Sequence, residues 1–98
     1  MSYKLIIRAA AERDIAEAAG WYDGERPGLG GEFVTAIRRV TDRIARLPES
    51  FPIVEGNVRR ALTRPFPYGV FFTIHNRRVV VMAVAHCSRD PGFWRGRR

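Results

Sequence analysis

The sequence predicts an α+β fold in which one strand is followed by a helical hairpin and then an antiparallel meander, in the order β-α-α-β-β-β. Three observations predict it. Apolar residues alternate in Tyr3–Arg8, recur at helical spacing over most of the stretch up to Leu47, and alternate again after Pro48. Residues 1–98 read as a single domain, since no linker, repeat or low-complexity segment divides them.

The first strand, YKLIIR, puts Leu5 and Ile7 on one face. A helix follows over about residues 9–24, with Ala11, Ile15, Ala18/Ala19 and Tyr22 on its apolar face and Glu12, Arg13, Asp14 and Glu17 elsewhere on the wheel. An apolar face made largely of alanine lets the helix lie close against a neighbour. ERPGLGGEF interrupts it, because Pro27 disfavours helix at Arg26 and three glycines follow. Phe33, Ile37, Val40, Ile44 and Leu47, spaced four, three, four and three, define a second helix that Pro48 ends. PGLGG is expected to be the flexible turn of the hairpin; it lacks the lysine and hydroxyl residue of a phosphate loop. Residues 49–57 are expected to be a loop, and Val58–Thr63 a strand that Arg64-Pro65-Phe66-Pro67 breaks. Tyr68–His75 and Arg78–His86 are long strands rich in β-branched and aromatic residues, joined by a tight turn at Asn76-Arg77. Both are apolar on both faces. A sheet with helices on one side would carry a polar second face, so something must cover it, and Phe93 with Trp94, or a partner chain, are the candidates.

Composition narrows the function. The net charge is +7, and Lys4 is the only lysine. Residues 1–49 hold eight basic and eight acidic side chains, whereas residues 50–98 hold nine arginines against Glu55 and Asp90 alone. Such an imbalance repels itself in a compact state and points to an acidic or polyanionic partner. Arg95, Arg97 and Arg98 read as a solvated tail open to such a partner. The longest apolar run, Val79–Ala85, falls short of the roughly 18 residues a membrane helix needs, and the N-terminus lacks the order of a secretion signal. With one cysteine and no disulfide to make, a reducing, cytoplasmic compartment is expected. No cofactor is expected. Nor is a metal site, because only His75 could join His86 and Cys87 where about four ligands are needed.

The stretches AERDIAEAAGWYDGERPGLGGEF, LPESFPIV, VRRALTRPFPYGVFFTI and VVVMAVAHCSRDPGFW resemble, in order and over nearly the whole chain, the RelE/ParE superfamily of type II toxins, in its ParE-like, plasmid-stabilisation branch. The WY…PGLG…F stretch, the R-FPY-V-F strand entry and the H-x-x-R-D-P-x-x-W ending carry the resemblance. It implies a helical hairpin packed on a twisted antiparallel sheet, and a small cytoplasmic growth inhibitor. It also implies a cognate acidic antitoxin, ParD-like or similar, encoded next door, whose C-terminal segment wraps the toxin across its helices and sheet. ParE-like members are associated with poisoning of DNA gyrase; RelE-like members cut messenger RNA on the ribosome. A non-catalytic nucleic-acid-binding or regulatory module is the third reading.

Each reading nominates residues. Cleavage of RNA needs a base for the 2′-hydroxyl, a donor for the leaving oxygen and cations for the phosphorane-like charge. His86, at the predicted end of the last strand, can serve either proton step, with Arg89 three residues on. Arg59 and Arg60 point to opposite faces of their strand, so a sheet can bring one of them beside His86. The nuclease set is therefore His86, Arg89 and Arg59. A set binding a target or nucleic acid would comprise Arg59, Arg60, Arg64, Arg89 and Trp94. Trp21 and Tyr22 are either antitoxin anchors or packing beneath the inter-helix loop. The bland reading of His86 is a strand-end histidine bonded to backbone or to Asp90. That of Arg89-Asp90-Pro91 is a turn, and that of Cys87 a small buried or half-buried residue.

Overall fold

The computed structural model of the chain describes residues 2–97. Strand β1 (Lys4–Ile7) leads into helices α1 (Ala9–Glu25) and α2 (Leu29–Arg46). A 3-10 turn at Pro48–Ser50 precedes β2 (Ile53–Glu55), β3 (Val58–Leu62), β4 (Tyr68–His75), β5 (Arg78–His86) and the short helix α3 (Gly92–Arg95). The two long strands have the bounds the alternation predicts. Two elements were not predicted: β2 lies within the stretch expected to be loop, and α3 within the expected tail.

The strands form one sheet in the order β1-β5-β4-β3-β2. Every neighbouring pair is antiparallel except β1 with β5, which is parallel with Ile7 beside Val81. The meander is antiparallel as expected, and β1 makes the sheet as a whole mixed. The reason is that β1 and α1 make no reversal between them. Asp14 on α1 accepts the Val84 N–H, further along β5 than the end of β1. The hairpin then turns once, and α2 returns far enough for its Ala45 carbonyl to accept the Tyr3 N–H at 2.7 Å. Strands β3, β4 and β5 alternate from there, and β5 emerges in the direction of β1.

The hairpin packs through the predicted stripe. Phe33, Ile37, Val40 and Ile44 of α2, with Ala11 and Ala18 of α1, close on Val70, Phe72, Val79, Val81 and Val84 of the sheet. Helix α2 starts four residues before Phe33, so two of the three glycines read as turn are helical. Gly30 explains why: its N–H donates to Asp23 Oδ1 at 2.7 Å, and a Cβ there would collide with the Ala19 carbonyl oxygen. The residue that seemed to break the hairpin instead lets its helices touch.

The second face is covered from within the chain. Trp94 is 5% exposed and stacks on Phe71, centroids 5.2 Å apart, and Phe93 packs beside it over Val58, Met82, Ala83 and Ala85. Met82 joins this face through a bulge: Phe71 pairs with Ala83 and Phe72 with Val81, so one residue of β5 is skipped.

Candidate functional site at the end of β5

Two adjoining clefts meet where β5 ends, and Ala85, His86 and Arg89 line both. The larger, about 290 Å³, lies on the face that α3 covers, between Trp94 and the β2 edge. The smaller, about 190 Å³, lies between α1 and Phe93 and includes the exposed Trp21.

His86 is exposed, with its ring edge-on to Tyr68 at 5.3 Å. Its Nδ1 accepts the Ser88 N–H at 3.0 Å and lies 2.8 Å from Ser88 Oγ. The histidine is therefore bonded to backbone and not to Asp90. A nitrogen accepting an N–H bears no proton, so the neutral ring carries its proton on Nε2. In that state the outer nitrogen is a donor. The ring is suited to holding an anion and poorly arranged as a general base.

Arg89 leaves the strand through a turn in which its N–H meets the His86 carbonyl, and its guanidinium lies over the Phe93 ring at 4.2 Å. Asp90 accepts the Gly92 N–H at 2.7 Å and fixes the start of α3, so the expected Arg89-Asp90-Pro91 turn is present. Cys87 is exposed, contrary to the expectation of a buried or half-buried thiol, because it follows the last strand residue. No group of acidic, cysteine or histidine side chains suited to a metal occurs among the described residues.

The nuclease set assembles only in part: Arg89 lines the clefts with His86, and Arg59 does not. Arg59 shares the helix side of the sheet with Phe72, and its guanidinium binds the carbonyls of Phe51 (2.7 Å) and Glu49 (3.2 Å). It holds the chain entering β2 and takes no part in lining the His86 clefts. Arg60 does, on the other face. Alternation along β3 foretold that only one of the two could, and the register chose Arg60. Arg64 stands apart, in a groove of about 410 Å³ beside Arg39, Arg43 and Arg46 of α2.

The aromatic pair also divides. Trp21 is 61% exposed. Tyr22 packs among Phe33, Phe66 and Tyr68, with centroids 4.9–6.1 Å away, and burial raises its hydroxyl pKa. Tyr68 is raised first by burial and then by Tyr22, against a lowering by Arg89.

The expected solvated tail is tied down. Arg95 pairs with Glu55 at 2.6 Å. Arg97 forks onto Asp14 at 2.5 and 3.1 Å and reaches the Met82 carbonyl, while Arg8 holds the Arg97 carbonyl. These bonds follow from the end of β1: beyond Ile7 no strand among the described residues continues along that edge of β5, and the Val84 N–H and Met82 carbonyl there would stay open. Arg98 lies outside the described residues. Sequence reasoning missed Asp14, Glu55 and Gly69 at this site. Only Gly69 gave a signal, as a glycine inside an apolar strand, where close approach of another group is the usual cause.

Residues 5–91 match the family described as ParE toxin of type II toxin-antitoxin system, parDE. The chain is 28% identical over 95 residues to Toxin ParE2 of Mycobacterium tuberculosis, strains CDC 1551 and H37Rv, covering 93% of this chain and 88% of the relative. In fold it resembles a chain of the chromosomal ParDE toxin-antitoxin system from P. aeruginosa, with TM-score 0.78 and 13% identity over 87% of this chain and 96% of that one. It also resembles a chain of the toxin-antitoxin complex RelBE2 from Mycobacterium tuberculosis, with TM-score 0.61 and 16% identity over 88% and 99%.

Proposed function

The chain belongs to the ParE toxin family of type II toxin–antitoxin systems, and from that premise we propose that it arrests growth by binding a target, DNA gyrase first among the candidates, without cutting RNA. It acts in the cytoplasm and is neutralised by an acidic, ParD-like antitoxin encoded beside it. The observation that carries the binding reading is the state of His86. Its Nδ1 is taken by the Ser88 N–H, which leaves the neutral ring no open nitrogen to accept the 2′-hydroxyl proton, and Arg59 is turned to the far side of the sheet. Arg60 and Arg89 are the target-facing cations, in the cleft walled by Phe71 and the Trp94 stacked on it. Arg64 adds a second basic surface with the α2 arginines. Trp21 is the anchor for the antitoxin, whereas Tyr22 serves the core. The net charge of +7 suits an acidic partner.

A RelE-like endoribonuclease is the second reading, favoured by the likeness in fold to a chain of the RelBE2 complex. Induced expression separates the two. The binding reading expects DNA breaks and filamentous cells with intact messages, rescue by the neighbouring gene, and toxicity that survives His86→Ala. Cleaved messages, together with loss of toxicity in His86→Ala, would overturn it in favour of the nuclease.

A further inference from the structure

The larger cleft has an architecture that target binding alone does not require. Its floor is bare because two small residues, Gly69 and Ala85, face each other across β4 and β5. The space is used by Arg60. Its stem lies over Gly69 so closely that a Cβ there would come within 3.2 Å of both Cγ and Cδ. The glycine therefore lets an arginine lie flat along the sheet toward the His86 end. Arg89, in the turn after β5, lines the same cleft, and its guanidinium lies over Phe93 where the two clefts adjoin. His86, with Nε2 as a donor, lies at the rim.

Charge in the cleft is one-sided. The lining carries three guanidiniums and one carboxylate, Glu55, and Arg95 already engages that carboxylate. Arg60 and Arg89 have no ion pair among the described residues. Forked N–H donors from two arginines and a ring N–H suit a group with several anionic oxygens better than a carboxylate with two. The volume of about 290 Å³ leaves room beyond a bare phosphate, against the apolar wall of Phe71 and Trp94.

We propose that this cleft is a binding site for the phosphate of a nucleotide, gripped by Arg60 and Arg89 with His86 at its mouth. The proposal shares Arg60 and Arg89 with the target-facing surface of the proposed function, so it is tested apart from any target, on the isolated full-length chain. Binding of adenosine monophosphate, a short single-stranded oligonucleotide, inorganic phosphate and glutarate is measured by titration calorimetry at fixed ionic strength. The nucleotide or the oligonucleotide binds, and glutarate binds at least tenfold more weakly. The tighter of the first two identifies the source as a free nucleotide or a strand, and either sustains the site. Arg60→Gln, an exposed and fold-neutral change, weakens binding tenfold or more. Gly69→Ala does the same with charge unchanged, by lifting the arginine stem. Arg38→Gln, an equal charge loss on the exposed side of α2, leaves binding within twofold. Equal loss in Arg38→Gln and Arg60→Gln would reduce the effect to general charge and overturn the proposal. So would glutarate binding as tightly as the phosphates, or no binding at all. Growth arrest by the Arg60→Gln variant is scored separately, so that failure of the phosphate site and failure of the toxin reading remain distinct.

Discussion

Asp14 concentrates the roles one side chain can have in this molecule. It sits on the first helix beside the apolar face, three residues after Ala11 and four before Ala18, and its side chain is only 9% exposed. It accepts the backbone N–H that β1 leaves open on β5 and the fork of Arg97. An ionised carboxylate this buried is tolerable only because all its partners are present. Arg97→Ala removes the charged one and should destabilise the fold by about 3 kcal/mol, whereas Arg38→Ala on the surface should change it by less than about 0.5 kcal/mol. Urea unfolding of the two variants beside the parent checks this, and a cost for Arg97→Ala no larger than for Arg38→Ala would refute the clasp. The sequence gives Arg97 no distinction from Arg95 or Arg98, because its partner is 83 residues away.

The elements differ in how plainly they are written. Helix α2 and strands β4 and β5 have apolar patterns long enough to declare their period. Strand β2 has three residues and α3 four, too few to display a period of either kind. The helix itself was not foreseen, but its covering role was, from a deficit elsewhere: two strands apolar on both faces needed a cover, for which Phe93 with Trp94, or a partner chain, were the candidates. Trp94→Ala should cost about 3–5 kcal/mol by emptying the site against Phe71. It should also increase hydrogen exchange in β3 and in the turn after β5, while the helix-side core residues keep their protection. Trp94→Phe should recover part of the loss. Uniform exchange across both faces in Trp94→Ala would mean that the two clusters are one cooperative unit.

At the scale of the molecule, acid–base behaviour follows from how the hairpin closes on the sheet. Burial where α1 and α2 meet the start of β4 raises the Tyr22 and Tyr68 hydroxyls above the ordinary phenol pKa of 10.0. Tyr3 is raised too, by donating to Glu49 at 2.9 Å. A phenol whose folded pKa exceeds its unfolded one favours folding fully below the unfolded value. Above it the unfolded chain sheds protons that the folded chain retains, so stability falls as pH rises past about 10. Urea midpoints taken from about pH 8 upward should be flat at first and then decline. In Tyr22→Phe/Tyr68→Phe the decline should be shallower, and an unchanged slope would assign it to other groups.

The α+β class, the hairpin, the long strands, the core stripe and the charge excess of the second half are decided by the sequence alone. Each depends on periodicity or a count, quantities that neighbouring residues carry among themselves. The family resemblance, too, lies in motifs a few residues long. Tertiary structure alone decided that β1 lies parallel to β5, that Arg60 and not Arg59 lines the cleft with His86, that Tyr22 packs on the core while Trp21 is exposed, and that Arg95 and Arg97 are fastened. These are matters of direction, register and long-range pairing. They are set by which end of a strand meets which turn of a helix, and no local stretch of residues holds that information.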